Sequence, residues 1–124
     1  MIAGIGTDIT EVHRFEKWVK NPDMLERFFN EKERGFNGCI ASQCQHYAAR
    51  FAAKEAFSKA LGTGITGFNL KEVYITKDSE GKPLLNIEGA ALSLMKERFG
   101  ECNTFVSLSH EKEYAVAFVV LEKR

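Results

Sequence analysis

The chain has 124 residues, with 17 Lys+Arg set against 17 Asp+Glu, 44% hydrophobic residues and 27% charged residues. That length accommodates one domain, residues 1–124, rather than two, and gives a core that needs no disulfide or metal staple. A net charge of zero argues against nucleic-acid binding through bulk electrostatics, while leaving room for a local basic patch toward a small anion or an acidic protein.

Ile2–Ile9 reads as a strand with Ile2, Gly4, Gly6 and Asp8 on one face, so that two bare positions lead to an acid. Asp8 also interrupts the N-terminus too early for a signal peptide. Thr10, or Asp8, is the expected cap of a helix running to about Lys20, with Val12, Phe15, Trp18 and Val19 as its apolar stripe. Asn21-Pro22-Asp23 breaks that helix. Met24, Leu25, Phe28 and Phe29 suit a short second helix, and Asn30 a cap for a third ending by Gly38.

Ser42–Leu61 predicts a long helix without internal Gly or Pro, stopped by Gly62. Ala49, Ala53, Ala56 and Ala60 make a small-residue stripe along which another element can pack closely. Cys39, Cys44 and Cys102 are an odd set without a CxxC pair and read as reduced thiols of an intracellular protein. Glu72–Lys77 and Leu84–Ile87 predict a hairpin across Asp78–Pro83, and Glu88–Phe99 a helix ended by Gly100. Thr104–Ser109 and Tyr114–Leu121 predict two strands, the second buried on both faces. Tyr114–Leu121 is also the longest apolar run, far short of the ~20 residues that cross a bilayer. The fold class is α+β, an antiparallel sheet on a dominant central helix.

Three places carry chemistry. Glu55 and Lys59 lie four apart on the long helix, a spacing that by itself describes a solvated ion pair. They run into Gly62-Thr63-Gly64, which reads as a helix stop and turn, or as a loop whose N–H groups can approach a phosphate, although it lacks Walker spacing. Asp8 is either a helix cap or a hard oxygen ligand. With Glu55 it would form a two-carboxylate set of the kind that holds Mg²⁺ together with substrate phosphates, provided the first strand lies on the long helix. Ser107, Ser109 and His110 suit anion binding better than a hydrolase, for no nucleophile elbow is present. His13 and His46 are isolated and form no zinc motif.

Taken together, Gly4-Ile-Gly-Thr-Asp8-Ile-Thr-Glu11-Val-His-Arg14-Phe15, Arg50-Phe-Ala-Ala-Lys-Glu-Ala-Phe-Ser-Lys59-Ala-Leu-Gly-Thr-Gly64, and Val106-Ser-Leu-Ser-His110-Glu with Tyr114-Ala-Val-Ala resemble the small bacterial 4′-phosphopantetheinyl transferases, the holo-[acyl-carrier-protein] synthase family. The resemblance spans essentially the whole chain. It implies Mg²⁺-dependent transfer of the phosphopantetheine arm of coenzyme A to a serine of apo acyl carrier protein in fatty acid biosynthesis, with release of 3′,5′-ADP. It implies that Asp8 and Glu55 hold Mg²⁺ and that Lys59 neutralises phosphate charge. Arg50, Gly62, Thr63, Gly64, Ser109 and His110 are implied to bind coenzyme A, and Arg14 to meet the acidic carrier protein, with Lys17 adding to that basic spot. A cytoplasmic homotrimer with active sites between protomers is implied, the bare face of the first strand then serving close packing at the protomer boundary. A water on the ion or Glu55 itself is the candidate base. A non-catalytic module binding coenzyme A or carrier protein, and a metal-dependent phosphohydrolase, are the rival readings.

Overall fold

The first and last strands of the chain lie side by side: β1 (Ile2–Glu11) runs antiparallel to β5 (Tyr114–Lys123) in the computed structural model, which describes Met1–Arg124. β4 (Cys102–His110) pairs with the other edge of β5, giving the order β1-β5-β4. A second, two-stranded antiparallel sheet is formed by β2 (Val73–Lys77) and β3 (Pro83–Ile87). The hydroxyl of Thr104 on β4 donates to the Leu85 carbonyl on β3 at 3.0 Å, tying the two sheets together. Across them lies the 22-residue helix α3 (Ile40–Leu61), and α4 (Gly89–Phe99) completes the layer. α3 stops because Gly62 adopts φ 89°, a left-handed conformation natural to glycine, while its N–H donates to the Ser58 carbonyl.

β1 approaches α3 more closely than a side chain would permit. A Cβ at Gly4 would sit 2.0 Å from the carbonyl oxygen of Ala60, and one at Gly6 equally close to that of Ala56. The bare face of the first strand is therefore used inside the chain, against the alanine stripe of α3. This corrects the expectation that it packs at a boundary between protomers. Ala49, Ala53, Ala56 and Ala60 are all buried. One core gathers α3, β2, β3, α4 and the inner face of the three-stranded sheet around Phe57, Leu61, Val73, Ile75, Val119 and Leu121. The other packs Phe15, Phe29 and Tyr47 around the first half of α3.

The segment before α3 is less regular than its periodicity predicts. β1 continues to Glu11 because β5 keeps pairing with it, Thr10 opposite Ala115 and Glu11 opposite Tyr114. Thr10 is thus a strand residue and not a helix cap, and Asp8 is not one either. A 3₁₀ turn at Val12–Phe15 follows, then α1 (Glu16–Val19) and α2 (Pro22–Phe28). The helix expected after Asn30 is a single 3₁₀ turn, Glu31–Glu33, whose capping box draws the Glu33 carboxylate back to the Asn30 N–H. α3 begins two residues early, at Ile40, capped by the Cys39 thiol.

β5 is not buried on both faces. Ala115, Ala117, Val119 and Leu121 are buried, whereas Tyr114, Val116 and Phe118 between them are exposed.

Gly6→Ala forces the strand away from α3, since its methyl meets backbone rather than a flexible side chain. We expect a loss of about 3 kcal/mol, read as a lowered urea midpoint at unchanged slope.

Candidate active site

The antiparallel run of β1 against α3 sets the position of Asp8. Gly4 meets Ala60 and Gly6 meets Ala56. Two strand residues advance about 6.7 Å and four helical residues about 6 Å, so the two repeats stay nearly in step. The next inward residue is Asp8, alongside the C-terminal half of α3, from which Glu55 and Lys59 project. Lys59 Nζ donates to the Thr7 carbonyl at 3.0 Å and to Asp8 Oδ1 at 3.2 Å. Asp8 Oδ2 accepts from the buried Thr10 hydroxyl at 2.9 Å. The i,i+4 spacing of Glu55 and Lys59 therefore does not close an ion pair, because Lys59 turns to the strand instead. The Asp8–Lys59 bridge is half-exposed on the lysine side, and a pair of that kind stabilises by about 0–1 kcal/mol. Its consequence is to fix Asp8 more than to hold the fold.

Glu55 is the perturbed acid of the group. Burial and then the nearby Asp8 charge push its carboxyl above the ordinary range, against the opposing pull of Lys59 and Arg14. The two carboxylates are thus electrostatic neighbours, flanked by one cation from α3 and one from the turn after β1. Arg14 lies 5.6 Å from the Phe51 ring centroid and 5.8 Å from that of Phe15. Lys17 is exposed on α1. No three His, Cys, Asp or Glu side chains are grouped so as to hold a metal ion by themselves. A cation at Asp8 and Glu55 would have two protein carboxylates and would take its remaining oxygens from substrate and water, the pattern that suits Mg²⁺. Mutual repulsion of the two acids fits such an ion.

The Gly62–Gly64 turn follows Lys59 at the same end of α3. That end carries the partial negative charge of the helix, so any phosphate there must rely on loop N–H groups and side-chain cations. The Gly64 carbonyl accepts from the Thr63 hydroxyl and the Thr66 N–H. An Arg98 nitrogen of α4 lies 3.3 Å from where a Cβ of Gly62 would stand. Sequence spacing gave no sign of Arg98, which arrives from a different helix. Thr10 was legible only as a cap, although its place two residues beyond Asp8 on the same strand face was the available signal.

The remaining candidates lie elsewhere. Arg50 sits five residues before Glu55, about 140° around α3. It is 8% exposed, donates to the His46 carbonyl, and its Nε has no partner. Burial holds its pKa below the usual arginine value. Ser109 pairs with Val116, and the strand alternation puts it with Ser107 on the sheet face turned away from α3. His110 lies in one row with Ala115 and Thr10, exposed, with the whole of β5 between it and β1. Within one chain the structure joins Asp8, Thr10, Glu55, Lys59 and Arg14, and leaves Arg50, Ser109 and His110 apart from them.

The family model described as the 4′-phosphopantetheinyl transferase superfamily matches residues 4–119. The chain is 46% identical to the holo-[acyl-carrier-protein] synthase of Treponema denticola over 127 residues, covering 98% of this chain and 99% of that one. It is 40% identical to the Clostridium acetobutylicum protein of the same name over 123 residues, covering 98% of each. Among solved structures it resembles a Bacillus anthracis holo-(acyl-carrier-protein) synthase in complex with CoA (3′,5′-ADP), at 40% identity and a TM-score of 0.81, covering 100% of this chain and 99% of that one. It also resembles a Plasmodium yoelii holo-ACP-synthase at 28% identity and a TM-score of 0.84, covering 100% and 97%.

Removing the Glu55 charge should stabilise the metal-free protein. A carboxyl raised above its unfolded value contributes most below the unfolded pKa and loses that contribution as pH rises through the folded pKa. Glu55→Gln is therefore expected to melt higher than wild type at pH 7 in EDTA, the gap closing below pH ~4, where the Glu55 carboxyl is neutral in the folded and the unfolded chain alike. A lower melting temperature at pH 7 would remove the repulsive pair from the description.

Proposed function

The chain belongs to the 4′-phosphopantetheinyl transferase superfamily, and we propose that it is a holo-[acyl-carrier-protein] synthase, one transferase domain over residues 1–124 acting in the cytoplasm on the acyl carrier protein of fatty acid biosynthesis. The observation that carries this reading is the Asp8–Glu55 carboxylate pair, with Lys59 bound to Asp8, on a chain alike over its full length to synthases of that name. No helix of the chain is long and apolar enough to cross a membrane.

The reaction joins the hydroxyl oxygen of a carrier-protein serine to the β-phosphorus of coenzyme A and breaks that phosphorus's bond to the bridging oxygen, which departs with 3′,5′-ADP. The serine proton passes to a base. Such a transfer asks a protein mainly for alignment and for charge placed where the phosphate needs it. Asp8 and Glu55 are the residues that would hold Mg²⁺, which when bound neutralises and polarises the diphosphate. Thr10 and Lys59 keep the Asp8 carboxylate turned to one side. The Lys59 ammonium and the exposed Gly62-Thr63-Gly64 turn receive the diphosphate oxygens. Arg14, over Phe51, offers the carrier protein a cation backed by an apolar surface, and Lys17 extends the positive spot. Contacts of this kind steer an acidic partner and weaken with salt.

The separation of Ser109 and His110 from Asp8 within one chain supports a homotrimer whose active sites lie between protomers. Ile5, Ile9, Phe105, Val116 and Phe118 are all exposed, and the register places them in neighbouring rows on one sheet face. A face so apolar is unusual on a monomer. Ser109 shares it, so a neighbouring protomer seated there would receive Ser109 beside its own acids, with His110 standing next to it in the inner row at the exposed end of β4. Arg50, Ser109 and His110 are then the coenzyme A contacts that one chain alone does not assemble.

Wild-type protein given coenzyme A, Mg²⁺ and apo carrier protein should add one phosphopantetheine to the carrier, read by mass spectrometry, and Glu55→Gln should lose most of that turnover while remaining folded. Release of 3′,5′-ADP without a modified carrier would point to a phosphohydrolase, and coenzyme A binding with neither product to a binding module. Phe118→Lys should convert the trimer to monomer in light scattering and abolish turnover. A fully active monomer would count against the shared site.

A further inference from the structure

Lys54 stands next to Glu55 in sequence but takes no part in the acid cluster. It is fully buried, and it spends all three ammonium hydrogens: on Glu33 Oε1 at 2.7 Å, on the Val73 carbonyl at 2.6 Å and on the Leu70 carbonyl at 3.2 Å. Glu33 is equally enclosed. Its Oε1 also accepts from the Asn30 N–H at 3.1 Å and its Oε2 from the Ile75 N–H at 3.0 Å. The carbonyls that Lys54 holds bracket the 3₁₀ turn Leu70–Glu72. That turn is tied from two further sides. Asn30 Nδ2 donates to the Lys71 carbonyl at 3.0 Å, and the Glu72 carboxylate accepts from the N–H groups of Asn69 and Ala90, both at 2.9 Å.

Between this fixed turn and the end of α3 lies only the segment Gly62–Asn69, which begins with the turn expected to meet coenzyme A. Its near end is held by the Gly62 N–H on the Ser58 carbonyl, and its far end by Lys54 on Leu70. Ser58 and Lys54 are one helical turn apart, about 6 Å along the axis that also carries Glu55 and Lys59. Few bonds inside the segment stiffen it: Thr66 binds Thr63 and Gly64, and Thr63 binds Gly64. Near its far end Phe68 also packs edge-on against Phe57 of α3, ring centroids 5.8 Å apart, so where residues 62–67 stand relative to Glu55 is set from the two ends of the segment. Only an ammonium supplies three donors at a single point, and an apolar side chain there would leave the buried Glu33 carboxylate without its cation and the Val73 carbonyl without a partner, while the Leu70 carbonyl would keep only the Val73 N–H.

We propose that Lys54 is a positioning residue for the transfer reaction. By pinning Leu70 and Val73 to α3 it holds the Gly62–Asn69 loop against Asp8 and Glu55, and so sets the affinity for coenzyme A. The inference rests on the transferase reading above, and its test separates the two.

Two variants are measured in Mg²⁺ buffer: Lys54→Met, and a Gly-Ser insertion between Gly67 and Phe68 that leaves the buried pair untouched while slackening the loop. Each should weaken coenzyme A binding by about tenfold in calorimetry. Each should raise the KM for coenzyme A alike, with the KM for carrier protein within about twofold of wild type. The two changes combined should weaken binding little more than either alone, since both release the same end of one loop. The insertion decides the matter if Lys54→Met does not fold. Unchanged coenzyme A affinity in the insertion variant overturns the proposal, as does an equal rise in both KM values. Failure of the transferase reading looks different: wild-type protein binds coenzyme A and leaves apo carrier protein unmodified, while the affinity comparison stays legible.

Discussion

Everything at the candidate site follows from how near β1 lies to α3. Ordinary packing keeps two backbones apart by the thickness of their side chains. Here Gly4 and Gly6 remove that layer from the strand, and Ala56 and Ala60 thin it on the helix. The strand runs against the helix with nearly matched repeats, so the contact holds over several residues without slipping out of step. Asp8 is the first inward residue after the glycines that carries a long side chain. It cannot continue onto the helix backbone, and it turns toward Lys59 and Thr10 instead. An acid reaches Glu55 because the residues before it have no side chains.

The two faces of α3 treat acids in opposite ways. Glu33, enclosed on one side, has every oxygen matched: a lysine, two backbone N–H groups and no rival charge. Glu55, half-buried on the other, has an acid for a neighbour and a carboxyl raised first by burial and then by that neighbour. A protein selected only for stability would not set Asp8 against Glu55 when Lys59 could pair with either one. Electrostatic conflict kept in a fold where Glu33 is fully satisfied marks Asp8 and Glu55 as a candidate functional pair.

The sequence carried the long helix, both hairpins and the last helix to within a few residues, because Gly62, Asp78–Pro83 and Gly100 punctuate it with turn chemistry. It carried Asp8, Glu55 and Lys59 through strand alternation and helical spacing. The stretch from Thr10 to Gly38 was poorly legible for a physical reason. Thr10 has good capping chemistry, but the pairing of Glu11 with Tyr114 across more than a hundred residues outweighs it. Asn30 does cap a turn, yet Glu33 is drawn inward to Lys54, and the helix ends where that burial begins. Long-range partners decided both cases, and local pattern carries no record of them. Arg98 beside Gly62 was out of reach for the same reason.

β5 was misread for a different cause, and the error is informative. Its run of apolar residues is the pattern of a strand covered on both sides, yet only Ala115, Ala117, Val119 and Leu121 are covered by this chain. The sequence thus encodes burial for a face that the single chain leaves open. The inner residues of that sheet pack α3 and deliver Asp8. The outer ones, Val116 and Phe118 with Ile5, Ile9 and Phe105, share their surface with Ser109, which stands on the face turned away from Asp8 of its own chain. An apolar face without a cover and a serine without a site lie on the same side of the same sheet. One neighbour of the same kind, seated on that face, would account for both, and it would make assembly a condition of catalysis rather than an addition to it.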